Sequence, residues 1–123
     1  MKYLCLAYYD VPTYEALTPE QKAALFPKCK PYDDALRATK KLVVSASLGE
    51  PVRTARTRAG KLSITDGPYV ETKEQIGGLF IIEADDFEEA MEVAAKHPAA
   101  RVGEELGWVV EVRPMDRWRE PEP

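Results

Sequence analysis

The sequence predicts an α+β domain, an antiparallel sheet with two helices on one face and an extra β-hairpin arm. Three observations predict it. Four strand-like blocks stand at Lys2–Tyr9, Leu42–Leu48, Ile76–Ala84 and Trp108–Val112, and two helical stretches fall between them. Their order is β-α-β-β-α-β, the split βαβ pattern. Between the second and third blocks lie two polar, alternating segments that read as an inserted hairpin. The 123 residues fit one domain, expected over 1–115, with a charged, proline-rich tail over 116–123.

Lys2–Tyr9 is aromatic and apolar and ends at the turn residues Asp10 and Pro12. Thr18-Pro19-Glu20-Gln21 is a helix start: Thr18 can cap, Pro19 loses no needed hydrogen bond in the first turn, and Gln21 stands at the capping-box position. Pro27 and Pro31 are expected to interrupt this helix, with Pro31 opening a second stretch through Tyr32, Ala35, Leu36 and Thr39. Leu42–Leu48 is the second strand, and Gly49-Glu50-Pro51 turns the chain. Val52–Arg58 then alternates, turns at Gly60-Lys61, and returns as Leu62–Thr65. Ile76–Ala84 is a strong strand, and Gly77-Gly78 lets the backbone pass close to a neighbour. Asp85–Lys96 is the clearest helix, with Asp85 as cap and an apolar stripe of Phe87, Ala90, Met91, Ala94 and Ala95. Lys96 and His97 suit its C-terminal dipole, and Pro98 stops it. Trp108–Val112 is the last strand.

Composition narrows the function classes. Hydrophobic residues make up 45% and charged residues 31%, a soluble balance, and the net charge is −4. That charge argues against nucleic acid or an anionic membrane as direct partner. No apolar run reaches the ~18 residues of a membrane span. The opening apolar run stops at Asp10 with no small-residue cleavage pattern, so the expected location is cytoplasmic. Cys5 and Cys29 form no CxxC pair, and one His with two dispersed Cys makes a poor zinc site. No phosphate-binding or dinucleotide fingerprint is present, so neither a cofactor nor a metal is expected.

The run Thr65-Asp66-Gly67-Pro68-Tyr69-Val70-Glu71-Thr72-Lys73-Glu74-Gln75-Ile76-Gly77-Gly78 resembles the signature of the YCII-related family, in its DGPF branch. Val110-Glu111-Val112-Arg113-Pro114 resembles that family's closing strand, and the resemblance extends from Lys2 to about Met115. It implies a ferredoxin-like fold that dimerises as an α+β barrel. It also implies kinship with small enzymes that act on aromatic or lactone compounds without organic cofactors. Some members of the branch are linked to extracytoplasmic-function sigma factors. Where the family often carries a His in the first helical region this chain has Cys29, where a glycine often precedes the second strand it has Lys40-Lys41, and the usual Phe of the signature is Tyr69.

The residues of the signature suit a site. Asp66 can staple the Asp66-Gly67-Pro68 turn or act as a general base; Gly67 permits unusual dihedrals and Pro68 fixes the next φ. Glu71 and Lys73 form either a solvated ion pair or the mouth of a pocket where Lys73 neutralises an anion. Tyr69 can stack on a planar ligand or pack under the loop. Arg56 and Arg58 share a face of the arm and can bind a carboxylate or remain solvated. Tyr8 and Trp108 can line a cavity or sit in the core. His97 fits helix capping better than proton transfer.

Two functions fit. The first is an enzyme doing proton abstraction, isomerisation or elimination on a small anionic or aromatic molecule, with Asp66, Glu71 and Lys73 as catalytic candidates. The second is a binding or regulatory module beside a transcription factor. Either way one apolar sheet face needs cover, and a second copy of the chain is the expected cover.

Overall fold

A computed structural model describes residues 1–70 and 72–122. The chain runs β1 (Lys2–Asp10), α1 (Val11–Glu15), α2 (Pro19–Ala38), β2 (Leu42–Ser47), β3 (Arg53–Arg58), β4 (Lys61–Asp66), β5 (Glu74–Glu83), α3 (Phe87–Ala94), α4 (Pro98–Arg101) and β6 (Val109–Pro114). The main sheet has the order β2-β5-β1-β6 and every pairing is antiparallel. Leaving out the β3-β4 hairpin, this is the ferredoxin-like arrangement, with the first and third strands central.

Alternation along β1 sets the two faces. Tyr3 and Cys5 point to the helices and are buried at 2% and 0% exposure. Across the register they meet Ile82 and Phe80 of β5, and Leu36, Ala84, Ala90, Val93 and Ala94 complete the core. The opposite face carries Leu4, Leu6, Leu79, Ile81 and Val44, and among the described residues no helix covers it. The apolar sequence of the central strands thus serves two surfaces: the helices pack on one, and on the other Ile81 alone of these five is buried, at 9% exposure.

The α2 start is as its sequence predicts. Thr18 Oγ1 accepts from Gln21 N at 3.1 Å while Gln21 Oε1 accepts from Thr18 N at 2.8 Å. The expected break is absent: α2 is one helix with Pro27 and Pro31 inside it. Both prolines are exposed, as is Ala23, so the carbonyls they leave unpaired, on Ala23 and Pro27, face water. A second difference lies after β1. Asp10 is not only a turn residue but caps α1, its carboxylate accepting from Thr13 N at 3.1 Å.

In α3 the cap is Asp86 rather than Asp85: Asp86 Oδ1 accepts from Glu89 N at 2.8 Å. Packed on the sheet, the helix buries Ala90, Val93 and Ala94 and leaves Phe87 and Met91 exposed, in place of the stripe the sequence predicts. Pro98 does not merely end this helix. It opens α4, and His97 is its N-cap, with Nδ1 accepting from Ala99 N at 3.0 Å.

Candidate functional site

The sheet and helices leave a cleft of about 510 Å³ at the end of β1 remote from the core. Its floor is the sheet, where Gly78 of β5 stands opposite Ser47 of β2 and Gly77 O accepts from Leu48 N. Its roof is α2, which presents Cys29, Asp33 and Arg37 at successive i, i+4 positions on one helical face. His97 and the end of β1, Tyr8 and Tyr9, close the sides together with Tyr14 and Trp108.

Glycines set the aromatic walls. A Cβ on Gly77 would lie 2.9 Å from Cδ1 of Tyr9, so only glycine lets that ring lie across β5. Tyr9 then meets Tyr14 edge-on, with ring centroids 5.6 Å apart. A Cβ on Gly103 would lie 2.3 Å from Trp108 Cγ, so Gly103 makes the room that half-buried Trp108 occupies. The paired glycines of the signature thus serve the cleft, the close approach their sequence predicts.

The polar groups are held as deliberately. The His97 ring stacks on buried Phe80 at 4.4 Å and 5° between planes. Because its Nδ1 accepts a backbone N–H, the neutral ring carries its proton on Nε2. Burial lowers the His97 pKa below the ordinary imidazole value, against a smaller opposing pull from Asp33. Burial, and then Asp33, raise that of Cys29. Asp33 is half-buried, and its carboxylate has no hydrogen-bond or ion-pair partner among the described residues; nor has the Arg37 guanidinium. An inward-facing carboxylate with no protein partner is available to a ligand.

A second, larger cleft of about 800 Å³ lies between the root of the hairpin and the body. Pro68, Tyr69 and Lys73 line it, with Glu50 and Arg53, and it shares Tyr9 and Leu48 with the first. Lys73 Nζ stands 3.7 Å from Asp10 Oδ2. Of the residues singled out in the sequence, Tyr8, Cys29, His97 and Trp108 line the first cleft, and Pro68, Tyr69 and Lys73 the second. Asp66, Arg56, Arg58 and Gly67 line neither. The Asp66 side chain is 92% exposed and pairs with Arg53 Nε at 3.3 Å. Gly67 has φ 94°, the left-handed conformation its turn needs, and its carbonyl accepts from Thr54 Oγ1 at 2.8 Å. Arg56 lies over the exposed Tyr69 ring at 5.6 Å, so these two satisfy each other. Glu71 lies outside the described residues.

Sequence reasoning missed Asp33, Arg37, Tyr9 and Tyr14 and treated Cys29 and His97 as isolated. The available signal was Asp33 itself: in phase with Cys29 and Leu36, it is a carboxylate on the inward stripe of α2. Among the described residues no group of three or more His, Cys, Asp or Glu side chains is placed to hold a metal ion. No helix of the structure is long and apolar enough to cross a membrane.

Sheet order and cleft together define a small ferredoxin-like α+β protein with a ligand-sized, ionisable hollow between sheet and first long helix. The chain matches the YCII-related domain over residues 1–118 and belongs to that family. It is 29% identical to an uncharacterized protein of Rhizobium meliloti (strain 1021), over 76% of this chain and 77% of that one. Among solved structures it is similar to a 5-chloro-2-hydroxyhydroquinone dehydrochlorinase from Burkholderia phenoliruptrix AC1100 in complex with 2,5-dihydroxybenzoquinone. That likeness has a TM-score of 0.48 and 18% identity, covering 98% of this chain and 96% of the other.

Proposed function

We propose that the chain is an enzyme that works without an organic cofactor and moves a proton on a small anionic or aromatic molecule bound in the first cleft. One observation carries this reading: the unpartnered Asp33 carboxylate and the Arg37 guanidinium share a cleft with a half-buried neutral imidazole and three aromatic rings. Tyr9, Tyr14 and Trp108 hold a planar substrate. Arg37 binds its anionic substituent. Asp33 takes the proton, and His97 Nε2–H donates to the oxygen on which charge develops. Isomerisation follows if the proton returns at another carbon, and elimination if a leaving group departs. Lys73 and Tyr69, in the adjoining cleft, accommodate a longer anionic substrate. Asp66 holds the root of the hairpin through Arg53.

The test is a screen of small aromatic and enolisable acids by thermal shift, followed by proton-exchange NMR on the binders. Asp33→Asn should abolish exchange of the substrate proton at unchanged fold, and Arg37→Met should weaken binding of anionic binders. Full exchange activity in Asp33→Asn would refute the assignment, and full activity lost in Asp66→Asn alone would return the base to the hairpin root.

The reading includes a homodimer through the bare sheet face. Val44 is 45% exposed and Val109 53%, and Leu4, Leu6 and Leu79 lie between them half-covered. A second copy of the same face would give an isologous contact that pairs one apolar surface with another.

A further inference from the structure

The β3-β4 hairpin leaves the body at Gly67 and Val52, where Gly67 N donates to Val52 O at 2.8 Å, and its main packing is one strand on the other. It turns through Ala59 and Gly60, both at positive φ. The register puts Ala55 opposite Ile64 and Thr57 opposite Leu62 on one face. On that face Leu62 is 69% exposed and Ile64 64%. A lone two-stranded hairpin is marginal in water and is normally steadied by packing against a third element. Among the described residues nothing on its own body fills that role for these two side chains.

Charge says what does. The hairpin Arg53–Asp66 carries four cations and one acid, and the rest of the chain carries thirteen cations and twenty acids. At the tip, Arg58 stands directly opposite Lys61. Like charges across a strand pair destabilise an isolated hairpin and call for an acidic neighbour. Arg53 and Arg56 are already engaged, by Asp66 and Tyr69. Among the described residues the free cations of the hairpin are therefore the two at the tip, on the face opposite the apolar strip. That combination fits an acidic protein surface better than a phosphate backbone, which needs many cations and no apolar strip.

We propose that the hairpin is an intersubunit arm whose Leu62–Ile64 face packs on a second copy of this chain, while Arg58 and Lys61, leaving the tip on its other face, reach acidic side chains of that copy. This contact is separate from the bare sheet face and does not depend on the enzymatic reading. It makes self-association sensitive to salt, which a purely apolar sheet-on-sheet contact is not.

The experiment is sedimentation equilibrium of the full chain over a range of concentrations, at about 0.05 and about 0.5 M salt. Three variants are compared: L62T/I64T, which keeps strand propensity; R58E, which reverses the tip charge; and V44D on the bare sheet face. Circular dichroism checks the fold of each. The arm contact predicts an association constant weakened about tenfold or more by L62T/I64T and by R58E, and weakened by salt in the wild type. An unchanged constant in folded L62T/I64T overturns it, whatever V44D does. A wild type that stays monomeric at every concentration overturns both the arm and the sheet-face dimer. Wild type that instead binds a short duplex DNA, with that binding lost in R58E, overturns the choice of partner.

Discussion

Placing a methyl group on Gly103 should push Trp108 out of its place in the cleft wall. Gly103 has φ −99° and ψ 28°, which alanine can adopt, so Gly103→Ala tests packing rather than backbone strain. The new Cβ would fall 2.3 Å from Trp108 Cδ2 and Cγ and 2.4 Å from its Cβ. Carbon atoms pack at about 3.5–4.0 Å, so the two groups must separate by more than about 1 Å. The Trp108 backbone cannot simply retreat, because its N–H donates to Gly103 O at 3.0 Å. Overpacking of this kind costs about 1–3 kcal/mol. Restricting the unfolded chain returns about 0.4–1 kcal/mol. The net loss is about 1–2 kcal/mol, or roughly a 4–8 °C fall in melting temperature for a domain of this size. Urea titration by circular dichroism reads the stability. Tryptophan emission, in a Trp118→Phe background, reads the exposure of Trp108. Gly49→Ala is the control, since a Cβ there meets nothing within 4 Å. Equal stability and unchanged emission in Gly103→Ala would refute the account of how the wall is held.

His97 should make the fold sensitive to acid. Its pKa is lowered by burial, so the unfolded chain binds the proton first as pH falls, and stability is lost below about pH 6.5. His97→Asn keeps a capping side chain and should flatten that part of the melting-temperature profile; matching profiles in the two proteins would contradict the half-buried neutral ring. The cysteines should differ in reactivity. Burial pushes the Cys5 thiol up to about 12, and it should react with thiol reagents only on unfolding. Cys29 should react slowly at pH 8, and a few-fold faster in Asp33→Asn because the second cause of its raised pKa is then gone. An Asp33→Asn rate equal to wild type would show that the two groups do not share one cleft.

Much of the fold was legible along the chain because its causes are local. The capping box at Thr18 and Gln21 is two hydrogen bonds between residues three apart, so four letters suffice to place it. The hairpin was readable from strict alternation on either side of a glycine. Pro27 and Pro31 misled because their cost depends on whether the unpaired carbonyls reach water, which is decided by the orientation of α2 on the body. Asp85 and Asp86 are equally good caps by type, and packing of Ala90 and Val93 against the sheet chooses between them. The hairpin-root signature drew attention to Asp66, yet the ionisable cleft is built from other residues, because acids and turns near one another in sequence reveal nothing of what lies across the sheet.

By itself the sequence determined the order of strands and helices, the apolar faces of the central strands, the glycines at Gly77-Gly78 and the family to which the chain belongs. These follow from periodicity and short-range bonding, and every residue needed is within a turn or two of its neighbour. Only the tertiary structure decided that Cys29 and Asp33 of one helix meet His97 and Trp108 from the far end of the chain, since that meeting depends on the β2-β5-β1-β6 order and on where α2 stands above it. Pairing register acts over scores of residues, and a side chain's chemistry depends on what the register places opposite it.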